Sequence, residues 1–260
     1  MDAAAKKKVW GRDTLAGDPH ARGDKARRVR AMFASIAGSY DLNNRLHAFG
    51  MDQRWRRVAV GMAAVTPGER VVDVACGTGD LAIALARTLP AAAADGGPSV
   101  IGVDFTFAML PLAEGKSSGD AAAAAYAAGD ALRLPLPDAC CEAVTIAFGL
   151  RNVADPSAAV AEFARVLKPG GRLVVLEFVE PRNPLIRWGN AAYTRGLMPL
   201  TATALSGDRS GAYRYLPKSV ATFLGTAGVA ALYERHGFGG HRSRAMNLGT
   251  VDCHAGTLGR

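Results

Sequence analysis

Apolar positions along this chain change their spacing from one segment to the next, and that change outlines a fold. Over residues 31–62, Met32, Phe33, Ile36, Tyr40 and Leu46 recur at loosely helical intervals, and Thr66-Pro67-Gly68 ends the run. Beyond it, short apolar runs at 70–75, 99–103, 143–150 and 172–178 predict strands. Between them, 81–89, 108–114 and 157–167 predict helices, the last one stopped by Pro169-Gly170-Gly171. A helix over 218–235 and strands near 242–246 and 250–255 follow. Strands alternating with helices at this spacing predict an α/β protein with a mostly parallel sheet covered on both faces. Residues 181–216, which contain Pro181, Pro184 and Pro199 among scattered aromatics, interrupt the alternation and read as a covering insertion. Residues 91–98 and 117–125 read as loops.

Composition narrows the class. The chain has 260 residues, 49% hydrophobic and 21% charged, which excludes a largely disordered protein. No apolar run approaches the ~20 residues of a membrane-spanning helix. Lys6, Lys7 and Lys8 lead into polar sequence rather than the apolar stretch of an export signal, so a cytoplasmic protein is expected. Charge is uneven: residues 1–30 hold nine Lys or Arg against four Asp, a net +5 of the chain's +8. Residues 1–30 therefore read as a disordered basic head that contacts anionic lipid, with one domain over 31–260; nucleic acid is not expected as a partner. Cys76, Cys140, Cys141 and Cys253 form no CxxC pair, adjacent cysteines have poor geometry for a bridge, and no metal site is expected.

Candidate chemistry concentrates after the first strand. Asp73 lies inside that strand and is followed by Gly77-Thr78-Gly79-Asp80-Leu81-Ala82, a turn between strand and helix. Ligands bind at such crossings in open parallel sheets, and glycine lets them approach the backbone. The GxGxxA string alone also suits a dinucleotide, so an NAD(P)-dependent oxidoreductase stands as an alternative. Asp104, followed by Phe105, closes the second strand, where a carboxylate accepts both hydroxyls of a ribose. Asp130, followed by Ala131, ends the third, placed to meet an adenine amino group. Three acids at successive strand ends resemble the nucleoside-binding pattern of class I S-adenosylmethionine-dependent methyltransferases.

Longer strings are more specific. The segment Tyr40-Asp41-Leu42-Asn43-Asn44 through Gly50-Met51-Asp52-Gln53-Arg54-Trp55 is similar to the N-terminal signature of the ubiquinone/menaquinone biosynthesis C-methyltransferases, the UbiE/MenG family. Phe148-Gly149-Leu150-Arg151-Asn152, the stretch from Arg165 to Arg172, and Tyr213-Arg214-Tyr215-Leu216-Pro217 resemble further segments of that family. Asn43, Ala48, Asp52 and Val179 depart from its usual residues. Ala147 departs as well, where relatives often use Ser, so only its backbone is expected to line the cofactor site.

The resemblance implies a seven-stranded class I methyltransferase fold with a helical cap over 31–62, and S-adenosylmethionine as cofactor. It also implies methylation of a ring carbon on a polyprenylated quinol, naphthoquinol or benzoquinol; another small-molecule or lipid acceptor is the alternative. Cofactor contacts are expected at Asp73, Gly77, Thr78, Gly79, Asp104, Phe105, Asp130, Ala131 and Ala147. Arg151, Asn152 and Tyr40 are the catalytic candidates, with Asp41, Asn44, Tyr213 and Arg214 on the substrate. Arg151 is too basic for an ordinary base and would stabilise phenolate charge; its structural alternative is an ion pair with Asp155. His47 and His254 read as surface or core histidines. Leu185, Ile186, Trp188, Leu197, Met198 and Leu200 read either as core, or as a lining for the isoprenoid tail or a rest on the bilayer edge, a peripheral contact at the membrane's inner face.

Overall fold

The structure, a computed structural model, describes residues 9–118, 124–206 and 210–259. Three helices come first: α1 (Lys25–Ile36), α2 (Tyr40–His47) and α3 (Asp52–Ala63). Then β1 (Val71–Val74), α4 (Asp80–Ala86), β2 (Val100–Asp104), α5 (Leu110–Ser117), β3 (Ala125–Ala128), β4 (Cys141–Ala147), α6 (Pro156–Val166) and β5 (Leu167–Phe178) alternate. The insertion is α7 (Pro184–Ala192), a π turn (Tyr193–Leu197), α8 (Met198–Ser206) and α9 (Ala212–Ala221). Last come α10 (Gly225–Arg235), β6 (Phe238–Met246) and β7 (Val251–Leu258).

The seven strands run in the order β3-β2-β1-β4-β5-β7-β6. β1 to β5 are parallel, whereas β7 pairs antiparallel with both β5 and β6. Side chains alternate across each strand, so successive residues feed two separate cores. Val72, Val74, Leu173 and Val175 pack against Phe163 of α6 and Tyr233 of α10. Val71, Val174 and Leu176 face the other way, against Trp55 of α3 and Leu81 and Leu85 of α4. β1 is buried along its whole length, as a strand covered on both faces must be. Strand order reverses between β1 and β4, which opens a crevice at their carboxyl ends.

Several boundaries differ from the sequence reading. The helical stretch over 31–62 is three helices, broken at 37–39 and again where Phe49 and Gly50 turn left-handed (φ 52° and 71°). The helix expected over 218–235 is split into α9 and α10. α6 ends at Val166, just before Pro169-Gly170-Gly171 as expected, but these three residues already lie within β5, beside a register shift against β4 between Cys141 and Ala143. β3 ends at Ala128, two residues short of Asp130.

The largest difference concerns the basic head, which from Val9 onward is packed rather than disordered. Trp10 is fully buried and stacks on Tyr215 at 4.6 Å between ring centroids. The Val9 and Trp10 amides both donate to the Ser210 carbonyl. Lys25 is buried too; its Nζ donates to the Val153 carbonyl at 2.5 Å, and burial lowers its pKa to about 8. Arg22, Arg27 and Arg28 spend their charge locally on Asp24. Trp10 packs with Val9, Leu15 and Val29 from within the same charge run, and a charge count does not register such anchors. Lys6, Lys7 and Lys8 lie outside the described residues. Removing a buried Trp ring costs about 3–5 kcal/mol, so Trp10→Ala is expected to lower the urea midpoint of unfolding clearly. A disordered head would leave that midpoint unchanged.

Candidate active site

Two cavities open at the carboxyl ends of the parallel strands. The smaller, about 100 Å³, is bounded by Gly77 after β1, Asp104 and Phe105 after β2, Asp130 and Ala131 after β3, and Ala147 at the end of β4. The Asp104 carboxylate accepts from the Gly77 amide at 2.8 Å and the Thr106 amide at 2.6 Å, while burial raises its pKa. Each oxygen keeps a second lone pair, the geometry a vicinal diol requires. Asp130 is exposed, with Oδ1 accepting from the Leu132 amide. Gly79 begins α4 with φ 83°, and a Cβ there would sit 2.6 Å from the Tyr126 hydroxyl, so only glycine fits. Gly77, Asp104, Phe105, Asp130, Ala131 and Ala147 thus come together as the sequence suggested.

Asp73, Thr78 and Gly79 stand apart from them: none is on the wall of either cavity. Asp73 is buried beneath the turn, where its Oδ1 accepts from the Thr145 hydroxyl at 2.7 Å. Its Oδ2 is buried without a hydrogen-bond partner among the described residues. Burial pushes its pKa up to about 7, against the opposing pull of Thr145 and Arg56. The Thr78 hydroxyl donates to Asp41 at 2.5 Å, and Lys116 Nζ reaches Asp41, Thr78 and Asp80 at 2.8, 3.0 and 2.6 Å. Asp41 therefore ties α2 to the glycine turn instead of facing an acceptor, a correction to the sequence reading.

The larger cavity, about 320 Å³, is enclosed by α1 to α3, the loop after β4, and the insertion. Tyr40, Asn44, Arg151 and Tyr213 line it as expected; Arg214 is exposed and lines neither cavity. Alternate sides of α9 explain this last miss, since Tyr213 and Tyr215 turn inward and Arg214 turns out. Phe33, Tyr40 and Phe148 border both cavities and form the wall between them. Burial raises the Tyr40 pKa, so its phenol keeps its proton.

Arg151 is 5% exposed and held from several directions. Its Nη1 donates to Glu177 Oε1 at 2.5 Å and to the Phe148 carbonyl at 2.8 Å, and its guanidinium lies 5.4 Å from the centre of the Phe178 ring. Its Nε is buried without a hydrogen-bond partner among the described residues. Asp155, the partner considered from sequence, instead caps α6 by accepting from the Ser157 and Ala158 amides. Asn152 borders the smaller cavity only. It accepts from the Tyr215 hydroxyl at 3.0 Å and donates to the Phe148 carbonyl at 3.0 Å, which makes it a support for Phe148 rather than a group on the acceptor.

Sequence reasoning missed Glu177, Phe148 and Lys116. A buried acid at the tip of the most apolar strand was the available signal for Glu177. Core packing, the first reading of the insertion's apolar residues, is overturned for four of them. Leu185, Trp188, Leu197 and Leu200 are 79%, 76%, 54% and 72% exposed, and only Met198 among the six is buried. Among the described residues, no helix is long and apolar enough to cross a membrane, and no cluster of side chains suits a metal ion.

Comparison with known proteins agrees with this geometry. A SAM-dependent methyltransferase from Thermotoga maritima, described as a possible histamine N-methyltransferase, superposes with TM-score 0.60 at 19% identity, covering 88% of this chain and 99% of that one. At that identity the likeness speaks for the fold alone. A demethylmenaquinone methyltransferase of Deinococcus radiodurans is 42% identical over 90% of this chain and 93% of its own length. The UbiE ubiquinone/menaquinone biosynthesis C-methyltransferase of Geobacter sulfurreducens is 40% identical over 91% and 90%. The sequence pattern of the ubiE/COQ5 methyltransferase family matches residues 21–258, which sets aside the oxidoreductase alternative. With fold, glycine turn and sequence in agreement, the chain belongs to the ubiE/COQ5 methyltransferase family.

Proposed function

We propose that this protein methylates a ring carbon of a polyprenylated quinol, taking the methyl group from S-adenosylmethionine. The Deinococcus and Geobacter relatives are named for demethylmenaquinone methylation and for C-methylation in ubiquinone/menaquinone biosynthesis, which supports this reading. The observation that carries the reading is Arg151: a buried guanidinium whose Nε has no hydrogen-bond partner among the described residues, on an apolar cavity that shares lining residues with the nucleoside-sized one.

S-adenosylmethionine supplies, when bound, an electrophilic methyl group. Asp104 suits the ribose hydroxyls, Phe105 and Ala131 the faces of an adenine, Asp130 its amino group, and the backbone of Gly77 to Gly79 the remainder. Asp73 supports that turn from below. On the other side, a quinol carbon becomes nucleophilic as the neighbouring hydroxyl loses its proton and charge spreads to the ortho position. Arg151, aimed by Glu177, stabilises that charge in a site screened from water. Phe33, Tyr40 and Phe148 hold the ring against the donor side, so carbon and methyl meet in line. In this reading α1 to α3 form the cap and 181–216 the substrate-side insertion.

A bilayer contact completes the proposal, because a polyprenyl tail must be collected from lipid. Leu185, Trp188, Leu197 and Leu200 are exposed, as are Leu46 near the end of α2 and Phe49 just after it, and Arg182, Arg187 and Arg195 of the same insertion are exposed as well. Residues 181–206 contain no Asp or Glu. Apolar side chains set among cations suit an anionic membrane surface at the inner face.

Three outcomes test this. Arg151→Met is expected to reduce kcat about 10²–10³-fold with S-adenosylhomocysteine affinity retained; a rate equal to that of the unchanged protein would remove Arg151 from the mechanism. Asp104→Asn loses a charged acceptor worth about 1.5–3 kcal/mol, so calorimetry should show S-adenosylhomocysteine binding at least about tenfold weaker. Flotation with vesicles containing anionic lipid should recover the full chain, and the double variant Leu185→Ser, Trp188→Ser should stay at the bottom of the gradient; equal recovery of both would dismiss the contact.

A further inference from the structure

α2 ends at His47, a half-buried residue on the wall of the larger cavity. Its Nδ1 lies 3.0 Å from the Tyr193 hydroxyl, while its Nε2 is buried without a hydrogen-bond partner among the described residues. A buried polar atom left unpaired is costly, and a ligand hydroxyl bonded to it would relieve that cost. The ring is set between aromatic walls, with Tyr193 and Tyr213 centred 6.3 and 6.2 Å away, and both also line the cavity. Tyr193 begins the π turn between α7 and α8, an irregularity that recurs at functional sites in helices.

The other ionisable groups on this cavity are engaged or unsuited to accept a proton. Arg151 is permanently charged. Glu177, behind it, has both carboxylate oxygens occupied by Arg151 and the Phe178 amide. Asp52 Oδ2 is bound to Arg56 Nη1 at 2.7 Å, although its Oδ1 is buried without a hydrogen-bond partner among the described residues. Tyr40 keeps its proton because burial raises its pKa. Glu180 is exposed to water, where a carboxylate is a much weaker base than an imidazole.

We infer that His47 is the base that takes the hydroxyl proton of the acceptor, with Tyr193 orienting its ring. The inference rests on the quinol-methylating function proposed above. Nδ1–H donates to the Tyr193 oxygen, which leaves the lone pair of Nε2 to receive the proton once the ring shifts toward the acceptor. The hydroxyl proton passes to Nε2, and the electron pair left on oxygen delocalises onto the adjacent ring carbon, its charge met by Arg151. The bond from ring carbon to methyl forms as the donor's carbon–sulfur bond breaks. The methylated carbon then loses its ring hydrogen as a proton to water to restore aromaticity, and His47 returns the first proton to the oxygen, so one proton is released per methyl group transferred. The stabilising and the proton-accepting roles are thereby divided between two residues on one cavity. Burial lowers the His47 pKa, which keeps the imidazole neutral near pH 7; the titratable groups against it are the Tyr193 and Tyr213 phenols.

The test uses the full chain with S-adenosylmethionine and a short-chain demethylmenaquinol, measuring kcat/KM against pH beside S-adenosylhomocysteine affinity. His47→Ala is expected to lower kcat about 10²–10⁴-fold, to leave S-adenosylhomocysteine affinity unchanged and to abolish the acid limb of the profile. Added imidazole should restore rate in proportion to its neutral form. Tyr193→Phe should keep the limb and lose less rate. A His47→Ala protein with the pH profile of the unchanged chain would overturn the assignment. So would a loss that is uniform across pH and insensitive to imidazole, since that is the mark of packing. If the unchanged protein leaves the quinol unmethylated, the functional reading itself fails, an outcome separate from failure of the variant alone.

Discussion

A buried ion pair holds this site together. Glu177 is fully enclosed at the tip of β5, and its carboxylate accepts from the Arg151 side chain, the Arg151 amide and the Phe178 amide. Taking two charges out of water is expensive, and such a pair adds little net stability unless its hydrogen bonds are complete. Here the acid is saturated and the guanidinium is not, so the arrangement favours direction over stability. The same guanidinium holds the carbonyl of Phe148, a residue in the left-handed region at φ 56°. Such a conformation costs on the order of 1–3 kcal/mol in a side-chain-bearing residue and persists where its surroundings over-determine it. Asn152 provides the second bond to that carbonyl, Tyr215 holds Asn152, and Trp10 stacks on Tyr215. A chain of contacts therefore runs from the N-terminal segment to the wall between the two cavities.

Topology explains why the cavities meet there. The strand order reverses between β1 and β4, so the turns after these two strands diverge and leave space at their tips. One side of that space is polar and carries the glycine turn with Asp104. The other is closed by added elements, three helices before the sheet and the insertion after β5, which supply a mostly apolar lining. A charged donor and a greasy acceptor need opposite surroundings, and two cavities that adjoin along Phe33, Tyr40 and Phe148 supply both side by side. Lys116, Asp41 and Thr78 then fasten the cap to the glycine turn, so that cap and cofactor loop are held as one unit.

The sheet was legible because buried parallel strands read as short continuous apolar runs, and Asp104 and Asp130 were legible because carboxylates directly after such runs have few structural uses. Side-chain direction was not. Asp41 and Arg214 sit beside true cavity residues in sequence, but on a helix adjacent positions are about 100° apart, and each faced away from the acceptor. Trp10 was hidden by the charges around it, and the breaks at 37–39 and 49–50 rest on backbone angles that local composition does not announce. Glu177 becomes visible as Arg151's partner only once β5 lies beside β4. The apolar residues of the insertion were ambiguous for a related reason, since a pattern fit for a core is equally fit for a surface that awaits lipid.

The central claim is that a nucleophilic ring carbon, activated beside Arg151, receives the methyl group. Incubating the protein with demethylmenaquinol and an isotopically labelled methyl donor, then locating the label by NMR, tests it most directly. The account predicts the label on a ring carbon of the quinol. Label on a hydroxyl oxygen, or none in the quinol at all, would contradict it.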